Sequence, residues 1–472
     1  MTTPSARQLV QPDELDTETK AQCSRIAERV GTPAYVYLRS VLLSRLADFA
    51  RAVGFLQSVA VHCHYALLAN DNPHLVVELL QGLARSGNTP GVLCASTAHL
   101  RLISELPGLP PGCSVAYSDP ALATSNWMSI FSGALRRPEI SQLYLILTTA
   151  GQVERLIESL QARRGSTVGA ESKGAVEVGL RVKLLANEQE ADRGSGVPGD
   201  VYSLYHGPAA RFGIPASQEL VAALEKLRRA GFSRVGFHMY PGTNLCCVAL
   251  LRNLYQRFAE AVKEAVRRVG VELAFLDLGG GFGIDYATGC TIDLAELAAL
   301  WQDTFASLTT GRETILIEPG RTIIGPAGLL ITRVLDREER GGVQHLIVDA
   351  GMSHFARPYI YGVAHRIATL NEQSRDATKM RTVVSGCTMA SGDFFTGHPL
   401  AGAEVRLPRV QVGDLLAVLD VGAYGFSMSS RFSGQLRPPE VLALEDGSNL
   451  LIRAREPVAA LKAEVPECPE LL

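Results

Sequence analysis

The sequence predicts an α/β fold, a (β/α)8 barrel, followed by a mostly antiparallel β domain. Three observations carry this. Eight strand-length apolar runs alternate with helix-period segments between Val61 and Glu318. The last two runs stop in glycines and in Glu318-Pro-Gly-Arg321, where such barrels usually carry a phosphate site. Beyond Arg321, short strands with turn signals replace the long helix-period segments. An open doubly wound sheet is the competing arrangement, and the place of the glycines favours the barrel.

In chain order, residues 1 to 30 are polar and predict a frayed start with one short helix. A strand at Ala34–Leu38 and a helix at Ser40–Phe55 follow. The barrel strands are expected at Val61–Leu68, Gly91–Ser96, Ser114–Ser118, Leu143–Thr148, Glu177–Lys183, Arg234–Tyr240, Glu272–Leu278 and Thr314–Glu318. Helix-period segments lie between them, at His74–Arg85, Ala98–Leu106, Trp127–Leu135, Gln152–Arg163, Ala216–Gly231, Cys247–Val269 and Leu294–Thr309. Gly194-Ser-Gly-Val-Pro-Gly199 is expected to be a mobile loop after the fifth strand. The predicted organisation is an N-terminal segment (1–44) whose strand joins the β domain, a barrel (45–321) and a C-terminal β domain (322–472).

Composition excludes several classes. The 472 residues are 47% hydrophobic and 20% charged, an ordinary globular balance. A net charge of −3 gives no basic surface for nucleic acid or anionic lipid. Nine scattered cysteines without a CxxC pair predict neither a zinc site nor a disulfide framework. The first residues lack an apolar signal core and no run is long enough to span a membrane, so a soluble cytoplasmic protein is expected.

Barrel active sites lie at the carboxyl ends of the strands. Collecting polar residues there gives Asn70 after strand one, Arg181 and Lys183 on strand five, and His238 and Thr243 after strand six. Asp277 and Gly279–Gly281 end strand seven, and Glu318 and Arg321 end strand eight. Glycines past a strand let backbone approach a ligand, and an arginine beside them suits a phosphate or carboxylate. Glu318, held before Pro319 and Gly320, could pair with a ring nitrogen, or simply with Arg321. In the β domain, Arg357, Tyr359 and Tyr361 could grip a carboxylate, and Tyr424 sits in a glycine-flanked turn. Alternation places His62 and His64 on one strand face, lining the barrel deeper down.

These stretches together resemble the fold-type III, pyridoxal-phosphate-dependent decarboxylases of the ornithine, diaminopimelate and arginine group. The matching segments run from Thr32 to Pro438. They include Tyr65-Ala-Leu-Leu-Ala-Asn70, Arg211-Phe-Gly-Ile214, Gly236-Phe-His238, Leu278-Gly-Gly-Gly-Phe-Gly283, Glu318-Pro-Gly-Arg321, Val348-Asp-Ala-Gly351, Arg357-Pro358, Ser391-Gly-Asp393 and Gly422-Ala-Tyr424. The resemblance implies pyridoxal 5′-phosphate as cofactor, a homodimer with sites at the subunit interface, and an amino-acid substrate. His238 would stack on the pyridine ring and Glu318 pair with its nitrogen. Gly280, Gly281, Gly320, Arg321 and Tyr424 would hold the phosphate with Thr243, and Arg181 would face the cofactor. Arg357 would take the substrate carboxylate, with Tyr361 and Asp393 beside it. His238-Met-Tyr-Pro-Gly-Thr243 looks most like branches acting on unusual or carrier-bound amino acids.

Two positions depart from the family pattern. Leu68 stands where the family has its Schiff-base lysine, and Met389 and Ala390 stand where it has a cysteine and an acid. A leucine forms no covalent link to the cofactor and a methionine has no proton to give. Lys183, sharing a strand face with Arg181, is either the candidate replacement lysine or a solvent-facing lysine at the strand end. The reading is therefore a diverged decarboxylase-like protein of specialised amino-acid metabolism, binding the cofactor or its substrate adduct without the usual lysine. The alternatives are an inactive pseudoenzyme serving as a binding or regulatory subunit, and an enzyme of another class reusing the phosphate cradle.

Overall fold

The computed structural model describes residues 9–10, 15–54, 59–122, 133, 136–162, 176–184, 210–371, 378–396 and 404–463. The chain divides into two compact units. One comprises Leu43–Ile284 and Thr291–Ile323; the other comprises Met1–Leu42, Asp285–Cys290 and Ile324–Leu472.

The first unit is a closed barrel of eight parallel strands. They are Ala60–Ala66, Thr89–Cys94, Cys113–Tyr117, Ile140–Leu147, Val176–Lys183, Arg234–His238, Glu272–Asp277 and Thr314–Ile317. Closure comes from strand eight pairing with strand one, Ile317 opposite Cys63, and from strand four pairing with strand five. The open doubly wound alternative is thereby ruled out. Strand one stops at Ala66, so Leu68 lies in the following turn rather than on the strand. The Ala66 and Leu67 N–H groups donate to the carbonyls of Pro319 and Leu93, across to neighbouring strand ends, and this ends the strand.

Helices start where polar caps meet the amphipathic pattern. The Asn72 side chain accepts from the His74 N–H at 3.1 Å, with Pro73 in the first turn. Asp293 accepts from the Ala295 and Glu296 N–H groups. The longest helix, Val248–Val269, buries Leu251, Leu254, Tyr255, Phe258, Val262 and Ala265 at helical spacing. It ends at Gly270 with φ 70°, a left-handed cap that glycine adopts without strain. The helix expected at Trp127–Leu135 lies, apart from Gly133, outside the described residues, as does the loop Gly194–Gly199.

The barrel interior is packed, not hollow. Phe275 fills its middle, and a Cβ at Gly179 or Gly236 would come within 2.5 or 2.1 Å of its ring. Tyr144 meets Phe275 edge-on, with ring centroids 4.9 Å apart. His62 and His64 also face inward, as alternation predicts: His62 Nδ1 lies 3.2 Å from the Tyr144 hydroxyl and His64 Nε2 lies 2.9 Å from Ser114 Oγ.

The second unit is built on a mostly antiparallel sheet. Strand Gly328–Arg340 pairs antiparallel with Ala34–Leu38, Leu415–Val418 and Val343–Val348. Ala34–Leu38 is thus integrated into this sheet. The helix expected within residues 1 to 30 is present. Thr17–Val30 is a 14-residue helix capped by Asp16. Cys23, Ile26 and Ala27 pack beneath the sheet against Val36, Leu329 and Ile331. Its apolar face is narrow and interrupted by charges. Residues Asp285–Cys290 also cluster with this unit, although the linear order places them within the barrel.

Candidate active site

The barrel unit gathers three titratable side chains at the carboxyl ends of adjacent strands. Asp277 pairs in register with His238 on one side and with Leu316 on the other, which brings Glu318 alongside. His238 Nε2 lies 3.5 Å from Glu318 Oε2. One ligand atom from each of His238, Asp277 and Glu318 falls within 4.8 Å of the others, and all three residues are buried. His238 Nδ1, Asp277 Oδ2 and Glu318 Oε1 are buried atoms without a hydrogen-bond partner. Buried polar atoms of this kind are costly unless something satisfies them.

Burial controls the charges. Desolvation pushes the His238 imidazole below its ordinary range, against the opposing pull of Glu318, so the ring is neutral near pH 7. Desolvation and the neighbouring Glu318 carboxylate push Asp277 well above the usual carboxylate range.

The glycines knit the loops together. A Cβ at Gly279 would lie 2.3 Å from the Met239 carbonyl oxygen, at Gly280 2.1 Å from that of Glu318, and at Gly281 1.8 Å from that of Gly242. Gly279 and Gly281 also have φ of 67° and 81°. The space a side chain would take at these three positions is filled by neighbouring backbone. The Glu318 N–H donates to the Gly279 carbonyl at 2.9 Å and the Leu245 N–H to Gly281 at 2.9 Å. The loops after strands six, seven and eight are therefore one rigid floor. On it, Arg321 donates to Thr243 Oγ1 at 3.4 Å, so the two residues expected at the phosphate are together. Gly320 packs against Ala66 and Ala69 at the end of strand one.

Arg181 and Lys183 share the inward face with Gly179. Arg181 lies over the Tyr240 and Phe212 rings, 5.4 and 5.7 Å from their centroids, and its charge acts on His238 and Asp277. The Lys183 amine donates to the Ala210 carbonyl at 3.2 Å. Leu68 is 54% exposed, an apolar side chain left in the open turn at the barrel's carboxyl end.

The sheet unit holds the other expected residues. Arg357 is buried, with Tyr286, Tyr361 and Tyr424 around its guanidinium at 5.1, 5.4 and 5.9 Å. Tyr424 takes φ 57°, unusual for a tyrosine, and the turn that holds it is anchored by the buried Arg366–Asp420 ion pair. Asp393 is committed to its own loop. Its carboxylate accepts from the Met352 N–H, the Thr388 N–H and the Thr388 hydroxyl, at 2.8, 3.0 and 2.6 Å. Met389, at the tip of that loop, is 98% exposed. Burial pushes the Cys387 thiol up to about 11, so it is not a ready nucleophile.

Asp277 was on the strand-end list of the sequence reading without a specific role, and Tyr286 was not singled out there at all. Asp277 ends a strand beside the glycines, and only strand register shows that it meets Glu318. Tyr286 belongs to a segment that clusters away from its sequence neighbours, and no local signal marks it.

The floor lies at the carboxyl ends of strands six to eight, where (β/α)8 barrels usually carry a phosphate site, on a chain that also carries an antiparallel sheet unit. The family described as pyridoxal-dependent decarboxylase, C-terminal sheet domain, matches residues 34–422, and this chain belongs to it. The diaminopimelate decarboxylase of Archaeoglobus fulgidus is 31% identical over 470 residues, covering 96% of this chain and 98% of the relative. That of Escherichia coli K12 is 32% identical over 320 residues, covering 66% and 73%. Among solved structures, diaminopimelate decarboxylase from M. jannaschii in complex with L-lysine superposes with a TM-score of 0.77 over 95% of both chains, at 23% identity. A lysine/ornithine decarboxylase from Vibrio vulnificus complexed with cadaverine gives 0.66, at 19% identity over 91% and 99%. The family uses pyridoxal 5′-phosphate. The buried trio and Arg321 with Thr243 fit its ring and phosphate; Leu68 does not fit a covalent tie to it.

Proposed function

We propose that this chain binds pyridoxal 5′-phosphate, or its adduct with an amino acid, without a covalent tie at residue 68, and acts at the α-carbon of an amino-acid-type substrate. The observation that supports this most is the retention of His238, Glu318, Arg321 and Tyr424, the positions that the resemblance assigns to the ring and phosphate, in a chain with Leu68. Burying His238 and Glu318 together, 3.5 Å apart, takes two titratable side chains out of water, which is costly. A protein that no longer held a heteroaromatic ligand would bear that cost with no return.

When bound, the cofactor supplies an electron-withdrawing ring that stabilises charge at the substrate α-carbon. The chain's own residues do the rest. Neutral His238 offers a flat face for the ring. Glu318 accepts from the ring nitrogen. Arg321 with Thr243 takes the phosphate, and a bidentate guanidinium suits it. In the sheet unit, buried Arg357 takes a substrate carboxylate, free or carrier-bound. Lys183 is the residue to which a displaced covalent link would fall. The exposed Tyr359, Ile360, Tyr361 and Met389 of the sheet unit support a homodimer, since one chain leaves so much apolar surface uncovered.

A spectral titration with pyridoxal 5′-phosphate, followed by borohydride reduction and mass spectrometry, tests this. Saturable binding with no mass gain after reduction is the expected result. A mass gain at Lys183 would replace the non-covalent reading with a relocated lysine. No binding at all would favour the second reading, an inactive family member serving as a regulatory subunit, for which the replacements Leu68, Met389 and Ala390 are the specific observation.

A further inference from the structure

Resting on that reading of the ring site, we infer that Asp277 is a positioning residue that shares one proton with Glu318, and so presents a single accepting carboxylate oxygen of Glu318 to the ring nitrogen.

The geometry comes first. Asp277 is fully buried, and its Oδ1 already accepts from the Gly279 N–H at 2.9 Å. Its Oδ2 and Glu318 Oε1 have no donor. Two ionised carboxylates offer only acceptors, so they cannot bond each other. Placed together out of water they repel strongly, and one of them takes up a proton. Once Asp277 is protonated it becomes the donor the pair lacks.

Which carboxylate holds the proton follows from the surroundings. Glu318 has His238 Nε2 at 3.5 Å to support its charge. Asp277 faces Glu318 itself, and the cation acting on it is Arg181, which also lies against two rings. Desolvation and Glu318 together push Asp277 toward the protonated form. A protonated Asp277 pins the Glu318 carboxylate in one rotamer. That rotamer is then held when the ring is absent. The floor is thus set before the cofactor arrives, which lowers the cost of ordering it.

Infrared difference spectroscopy on the protein without added cofactor tests this, since a protonated carboxyl absorbs apart from a carboxylate. The wild type is expected to show a protonated carboxyl band near pH 7 that is lost in Asp277→Asn. Asparagine keeps both the acceptor for Gly279 and a donor for Glu318. Asp277→Asn should therefore bind pyridoxal 5′-phosphate within about threefold of wild type, while Asp277→Ala loses tenfold or more. Thermal melts of both variants show whether each is folded, and the band in the unmutated protein stands without either. A band absent from wild type, or retained in Asp277→Asn, overturns the inference. So does equal loss of binding in both variants. Loss of the band on adding Zn²⁺ alone would assign the trio to a metal and also overturn it. If wild type shows the band but binds no pyridoxal 5′-phosphate, the ring-site reading fails while the shared proton stands.

Discussion

His238 Nε2 lies 3.5 Å from Glu318 Oε2, and both side chains are almost wholly withdrawn from water. This contact ties the ends of strands six and eight, with Asp277 of strand seven between them. A neutral imidazole beside an anionic carboxylate is suited to a ring that carries its proton on nitrogen. Glu318→Gln keeps the shape and removes the charge. It should weaken pyridoxal 5′-phosphate by about tenfold and shift its bound spectrum, as charge-assisted hydrogen bonds are worth roughly 1.5–3 kcal/mol. An unchanged titration would remove Glu318 from the ring nitrogen.

Arg321, beside Thr243, gives a prediction that separates phosphate from ring. Arg321→Ala should reduce affinity for pyridoxal 5′-phosphate by about tenfold to a hundredfold. It should leave affinity for pyridoxal, which lacks the phosphate, nearly unchanged. Arg321→Lys should recover only part of the loss, because lysine is a point charge without a fork. Equal losses for both ligands would mean that the substitution damages the floor generally.

Leu68 can be reversed. Leu68→Lys places an amine where the family resemblance puts its lysine. With pyridoxal 5′-phosphate and borohydride, a mass gain on a peptide containing residue 68 is expected, with none in wild type. Failure to trap it would show that the turn after strand one points residue 68 away from the ring.

The glycine floor predicts a large difference between two chemically identical changes. Gly87 and Gly281 have φ of 78° and 81°, but a Cβ at Gly87 meets nothing within 4 Å whereas at Gly281 it meets the Gly242 carbonyl oxygen at 1.8 Å. Gly87→Ala should cost about 1–2 kcal/mol, the left-handed penalty alone. Gly281→Ala should lower the melting temperature much further and abolish cofactor binding. Similar melts would show that the loops yield.

Acid sensitivity follows from the buried imidazoles. Burial lowers His62 and His354 to about 4, and lowers His64 and His238 as well. An unfolded chain takes up protons at these sites below about pH 6.5 while the folded chain does not. Stability is thus fully present above that pH and falls as pH drops toward 4, by up to about 1.4 kcal/mol per pH unit for each imidazole. Urea midpoints measured from pH 7 to 4.5 should fall steadily, and His62→Gln should flatten the slope. A flat profile in wild type would contradict the burial of these rings.

The periodicities were enough to read much of this molecule directly. Alternating runs identified the eight barrel strands, because a strand buried on both faces and a one-sided helix write different hydrophobic patterns. His238, Glu318 and Arg321 were legible because strand ends are where barrels place chemistry. One short helix was legible within residues 1 to 30, but not the 14-residue length of Thr17–Val30, whose packing partners lie hundreds of residues away. That neighbouring backbone fills the space of the missing side chains at Gly279–Gly281 required the folded loops. Likewise Asp277 is a lone acid in the sequence. Its partner, its burial and its proton depend on strand register and on the exclusion of water, which are properties of three chain segments brought together and of none of them alone.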